Sequence, residues 1–164
     1  MATSAIHVQR FSLTTLKPFR EVLAAIDAAI GHPDMIVFRQ GLIAAKGADE
    51  LKEIVQAAVG PSGLMEFVRF DLGEVLRKEL GSSARQVLRL VIGNPLIMKE
   101  LVKLTPDAGS YAPITVLIDE RHDGIHLSYD RMASFLAPYG NPEVLNVARD
   151  LDAKVESLLK AAAG

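Results

Sequence analysis

The densest run of side chains able to do chemistry is Asp119-Glu120-Arg121-His122-Asp123-Gly124-Ile125-His126-Leu127-Ser128-Tyr129-Asp130-Arg131. Read as two strands about an Asp123-Gly124 turn, it places Ile125, Leu127 and Tyr129 on one face and His126, Ser128 and Asp130 on the other. His122 falls beside the turn, where solvation accounts for it. His126 lies mid-strand between apolar residues and has two readings. It is either a half-buried histidine bonded to Ser128 or a backbone carbonyl, or a metal ligand or acid–base group. The chain holds four histidines and no cysteine. Disulfides, thiolate catalysis, iron–sulfur clusters and cysteine zinc sites are therefore excluded. Neither GxSxG nor HExxH occurs, so a zinc site would need carboxylates from several elements.

Two other stretches carry weaker signals. Residues 71–79 (DLGEVLRKE) hold Asp71, Glu74, Arg77, Lys78 and Glu79. Glu74 and Lys78 form an i,i+4 pair in the favourable order, worth only ~0.2–0.5 kcal/mol. The run reads as a solvated helix face or as a carboxylate acid–base pair, and spacing alone does not decide. Gly93-Asn94-Pro95 reads as an anion site at a helix N-terminus or as an N-cap followed by an N1 proline, and the cap is a sufficient account. No GxGxxG or GxxxxGK[ST] loop is present.

The elements that must position these residues follow from periodicity. Residues 6–11 alternate as a first strand. Phe19, Val22, Leu23, Ile26 and Ile30 share one helical face, closed by Gly31-His32-Pro33. Residues 35–38 form a short apolar run and 49–59 a helix ended by Gly60-Pro61. Strands are predicted over 64–70, 86–92, 114–121 and 125–130. Helices are predicted over 73–80, 95–104 and 142–162, with a frayed tail at 161–164. This order gives one α+β domain over residues 1–164, a small, mainly antiparallel sheet with helices packed on one face.

The chain has 164 residues, 49% of them apolar, and a net charge of −2, enough to fold unaided and too balanced to attract nucleic acid or anionic membrane. Tryptophan is absent and aromatics make up 5%, which argues against base-stacking surfaces. Residues 1–9 lack a secretory pattern, and no apolar stretch approaches the ~18 residues of a membrane span. The expected compartment is the cytoplasm. The sheet's second face, with Thr115, Leu117 and Ser128, needs cover that helices on one side do not give, which predicts a homodimer.

From Gly63 onward the chain resembles the domain-of-unknown-function 302 family. The landmarks are residues 64–71, 87–95 (VLRLVIGNP) and 113–119 (PITVLID), then Asp123-Gly124 and Leu127-Ser128-Tyr129 followed by an acidic residue. The resemblance implies a small α+β sandwich that pairs as a homodimer through its sheet, in a largely uncharacterised family some of whose members bind b-type haem. Three departures stand out. Residues near 31–62 look like an insertion with an extra helix. The Asp-His pair that often follows the second family strand reads Asp71-Leu72. The often aromatic position before Leu-Ser-Tyr is His126. The family's ligand therefore does not transfer residue by residue.

With that resemblance, the leading expectation is non-covalent binding of haem b through a histidine axial ligand, since no CxxCH occurs. His126 is the first choice of ligand because a strand fixes its direction. His32 is the second, because the segment after it could wall a pocket. Met35, Met65, Met98 and Met132 would line that pocket, and Arg69, Arg77 and Arg121 would meet the propionates. The alternatives are an enzyme on a small organic substrate using Asp71, Glu74, His126 and Tyr129, or a dimeric scaffold without chemistry.

Overall fold

Among the described residues, alternating apolar residues on five strands fix one sheet. The computed structural model describes residue 3 and residues 5–164, so residues 1, 2 and 4 of the segment read above for a secretory pattern lie outside the described residues. The strands are β1 (Arg10–Thr15), β2 (Met65–Asp71), β3 (Val87–Gly93), β4 (Ile114–Arg121) and β5 (Gly124–Asp130). They pair in the order β1-β5-β4-β3-β2, every neighbour antiparallel. The first strand is displaced from the predicted 6–11. Phe11 and Leu13 pack on the core, and Arg10 pairs with Asp130. A one-residue change of register reverses which side chains face inward, so the buried pair sets the register.

Among the described residues, seven α-helices accompany the sheet: α1 (Phe19–Ala29), α2 (Met35–Ala44), α3 (Ala48–Ala58), α4 (Leu72–Leu80), α5 (Pro95–Leu104), α6 (Met132–Leu136) and α7 (Pro142–Ala163). Leu90, Ile92, Val116, Ile118 and Leu127 on one sheet face form a single core with Val22 and Ile26 of α1, Leu101 of α5 and Val155 and Leu159 of α7. Each fully buried aliphatic side chain of this kind stabilises the fold by about 1.5–3 kcal/mol. The tail expected to fray is packed instead. The α7 helix continues through Ala163, Ala162 is buried, and Thr15 Oγ1 donates to the Ala163 carbonyl.

The apolar run at 35–38 proves to be the start of a helix. Asp34 caps it by accepting from the N–H groups of Ile36 and Val37. With α3, α2 buries a second, smaller cluster around Phe38, Val55 and Met65. This two-helix excursion leaves and rejoins the body at one crossing, where Gly31 N–H and Gly60 N–H both donate to the Leu64 carbonyl. A Cβ at Gly31 would lie 1.9 Å from the Ala58 carbonyl oxygen, so only glycine lets the two strands of chain pass this closely. Among the described residues, no helix is long and apolar enough to cross a membrane.

Candidate ligand-binding site

The hairpin puts His126 where alternation placed it, on the sheet face opposite the helices. Its ring is held from both sides. Nε2 lies 2.8 Å from Asp123 Oδ1, and Nδ1 lies 3.3 Å from Thr14 Oγ1 on the neighbouring strand. The side chain is 16% exposed. The hydrogen bond from His126, opposed in part by desolvation, leaves the Asp123 carboxyl below its ordinary pKa. A metal ligand needs one nitrogen lone pair free and the other nitrogen oriented by an acceptor. Here both nitrogens already have partners.

The other residues singled out from the sequence do not gather around His126. His32 follows α1 at the β2 side of the sheet, its Nε2 3.0 Å from the Asp27 carbonyl. Arg69 is locked between Asp27 and Glu66, at 2.5 and 2.6 Å. Burial works against its charge, but those hydrogen bonds and charges outweigh it and raise its pKa. Arg77 bonds to Asp71 and Arg121 to Asp119. Met35 and Met65 belong to the small cluster, and Met98 and Met132 to the main core. The enzyme set is dispersed as well. Asp71 caps α4 by accepting from Glu74 N–H, while Tyr129 points into the core away from His126.

The same open sheet face carries a cleft of about 570 Å³ at the end away from His126. Thr115, Leu117 and Ser128 contribute to its lining, outward residues of β4 and β5. Tyr111 and Phe135 stand beside it as a stacked pair, centroids 4.8 Å apart and planes within 14°. Tyr111 and Tyr139 share a hydroxyl contact of 3.1 Å, which pushes the Tyr139 pKa up to about 12. Two arginines complete the lining. Arg10 is neutralised by a two-point pair with Asp130 at 2.6 and 2.8 Å. Arg89 makes only a long 3.4 Å contact to Thr115 Oγ1 and sits 5.7 Å over the Phe70 ring. Among the described residues no carboxylate pairs with Arg89. An unpaired guanidinium, hydroxyls and a flat aromatic wall together suit a small organic anion with a planar apolar body. Of the nine residues named for haem, only Met132 touches this cleft.

The cleft was only partly visible beforehand. Strand alternation marks Thr115, Leu117 and Ser128 as an uncovered face, but it does not single out Arg10, Arg89, Tyr111 and Phe135. The available signal was the outward parity of Arg10, Arg89, Thr115 and Ser128 on four successive strands.

The model for Domain of unknown function DUF302 matches residues 41–162, most of the chain. The chain belongs to the DUF302 family. That match takes in residues 41–62, part of the segment read above as an insertion. No curated protein matches the chain. The crystal structure of an uncharacterized conserved DUF302 protein from Bacillus stearothermophilus is similar, with a TM-score of 0.64 and 9% identity over 93% of this chain and 97% of that one. At that identity the likeness concerns the fold alone. The motifs that carried the DUF302 resemblance have structural duties here. Asn94 caps α5, accepting from Leu96 N–H while its Nδ2 donates to the Gly63 carbonyl. Asp123-Gly124 makes the hairpin turn, with Gly124 at a φ of 134°. Tyr129 donates to Asp152 of α7.

Proposed function

We propose that this DUF302 chain is a cytoplasmic, homodimeric binding protein whose sheet-face cleft takes a small aromatic carboxylate. The observation that carries the reading is the unpaired Arg89 guanidinium in the same cleft as the stacked Tyr111–Phe135 wall. The carboxylate meets Arg89, the ring lies along the aromatic wall, and Thr115 and Ser128 accept or donate at the floor. A second copy covers an apolar patch that runs from Val68 and Phe70 on β2 to Leu72, Val75 and Leu80 on α4, all exposed. Exposed apolar side chains gathered on two consecutive elements mark an association surface.

Haem b is the other ligand expected from the sequence. The residues fit it in one respect, since arginines and a flat wall meet in the cleft, and fail in another. None of the four histidines lines the cleft, and both ring nitrogens of His126 are engaged. No step is therefore assigned to an iron centre.

The test is titration of the protein with benzoate and 4-hydroxybenzoate, and with benzamide as the uncharged control, followed by amide chemical shifts. Carboxylates should shift Thr115, Ser128 and Tyr111 resonances, benzamide should not, and Arg89→Ala should abolish the response. Absence of carboxylate binding overturns the reading. A Soret band formed with added haemin and lost in His126→Ala would replace it with haem.

A further inference from the structure

Asp27, His32 and Glu66 converge on the β2 side of the sheet, and none of them lines the cleft. One ligand atom from each lies within 4.8 Å of the other two. We propose that this cluster binds a divalent first-row cation of the zinc type, with Arg69 occupying the place of the cation in its absence.

The donor set suits such an ion, being one imidazole and two carboxylates, with room for water at the remaining position. The imidazole is already oriented. A carbonyl oxygen can only accept, so the 3.0 Å contact to the Asp27 carbonyl assigns the proton to Nε2. The lone pair is then on Nδ1, which lies 3.9 Å from Glu66 Oε2. That gap accommodates one ion at about 2.0–2.2 Å from each atom. Asp27 Oδ1 lies 3.8 Å from Nε2 and must turn toward Nδ1 to share the ion. An imidazole held by a carbonyl on its far nitrogen is the usual arrangement of a metal-bound histidine.

The scaffold beneath the ligands is rigid. Glu66 N–H donates to the Gly31 carbonyl and Gly31 N–H to the Leu64 carbonyl, at 2.8 and 2.9 Å. His32 is thereby anchored to the strand that carries Glu66, and Asp27 lies one turn earlier on α1. Preorganisation of this kind limits the ordering cost of binding an ion. The charge count points the same way. Asp27 and Glu66 bring two negative charges and Arg69 one positive, and Arg69 reaches both carboxylates at 2.5 and 2.6 Å. A divalent ion would neutralise both carboxylates and release the guanidinium to solvent.

This competition makes the site testable in both directions. Chelator-treated full-length protein is titrated with Co²⁺ and Zn²⁺, alongside His32→Ala, Glu66→Gln and Arg69→Met. Wild type should take up one ion per chain, give a visible Co²⁺ band that Zn²⁺ displaces, and show a Zn²⁺-dependent ¹⁵N shift at His32 Nδ1. His32→Ala and Glu66→Gln should each weaken binding about tenfold or more. Arg69→Met should bind several-fold more tightly, because the competing cation is gone. His32→Gln replaces His32→Ala if the latter does not fold by circular dichroism. No Zn²⁺ uptake by equilibrium dialysis, uptake unchanged by loss of His32, or Arg69→Met binding no tighter than wild type would each overturn the proposal.

Discussion

The hydroxyl of Tyr129 donates a 2.6 Å hydrogen bond to Asp152 Oδ1, joining the second strand of the hairpin to the last helix. The same carboxylate accepts from the N–H groups of Met132 and Ala133, at 2.7 and 3.1 Å, and so caps α6 from outside that helix. Burial raises the pKa of Tyr129, and the nearby Asp152 charge raises it further. Tyr129 therefore acts as a fixed donor. Tyr129→Phe should cost about 1–3 kcal/mol, because a buried acceptor loses its partner. Urea unfolding should show a lower midpoint at unchanged slope. An unchanged midpoint would mean that the two backbone N–H groups satisfy Asp152 alone.

Asp152 also predicts a pH dependence. Burial raises its pKa above the ordinary 3.8, against the lowering effect of its hydrogen bonds. The folded protein thus keeps this proton over a range where the unfolded chain has released it. Its contribution to stability falls as pH rises from 3.8 through the folded-state value, then stays constant. Subtracting the unfolding free energies of Asp152→Asn from those of wild type across this range isolates the effect. A difference that rises with pH contradicts the assignment.

Gly124 sits at a φ of 134°, and a Cβ there would lie 2.5 Å from the Thr15 carbonyl oxygen of β1. Gly124→Val should destabilise by at least about 1–3 kcal/mol from backbone strain, before the clash is counted. Thermal melting equal to wild type would be incompatible with this turn.

The β2–α4 patch predicts an oligomeric state. Phe70 is 44% and Val75 68% exposed, and burying both in a second copy removes that apolar area from water. Light scattering should give twice the 17.7 kDa chain mass. Phe70→Asp combined with Val75→Asp should give the single-chain mass with an unchanged circular dichroism spectrum. A wild-type protein already at 17.7 kDa rules the dimer out.

Periodicity alone located most of the frame. The apolar face of α1, the Asn94-Pro95 cap and the Asp123-Gly124 turn are local features, and all stand where local chemistry puts them. The α2 helix was not visible because its apolar residues point in every direction. Ile36, Val37 and Ile43 are exposed while Phe38 is buried, so no stripe appears. Its one local signal was Asp34, a side-chain cap. The first strand was misplaced because its parity depends on which side chains meet the core, and β5 decides that from far along the chain. The state of His126 was illegible for the same reason. One of its two partners, Thr14, is 112 residues away. The cleft is built from Arg10, Arg89, Tyr111 and Phe135, which only the finished topology brings together.

The pairing of Arg10 with Asp130 separates the two partners by 120 residues, and this sets a timetable for synthesis. At about 5–20 residues per second, a ribosome needs about 6–24 s to make the strand that receives β1. Throughout that interval the other four strands are being completed in sequence, while Phe11 and Leu13 have no sheet to join. Of the five described strands, β1 is thus the last to be docked although it is made before the other four. Its empty berth beside β5 is open to the β1 of another nascent copy, so crowded polysomes favour exchanged strands. Slowing translation late in the message, rather than early, should change the yield of correctly closed sheets.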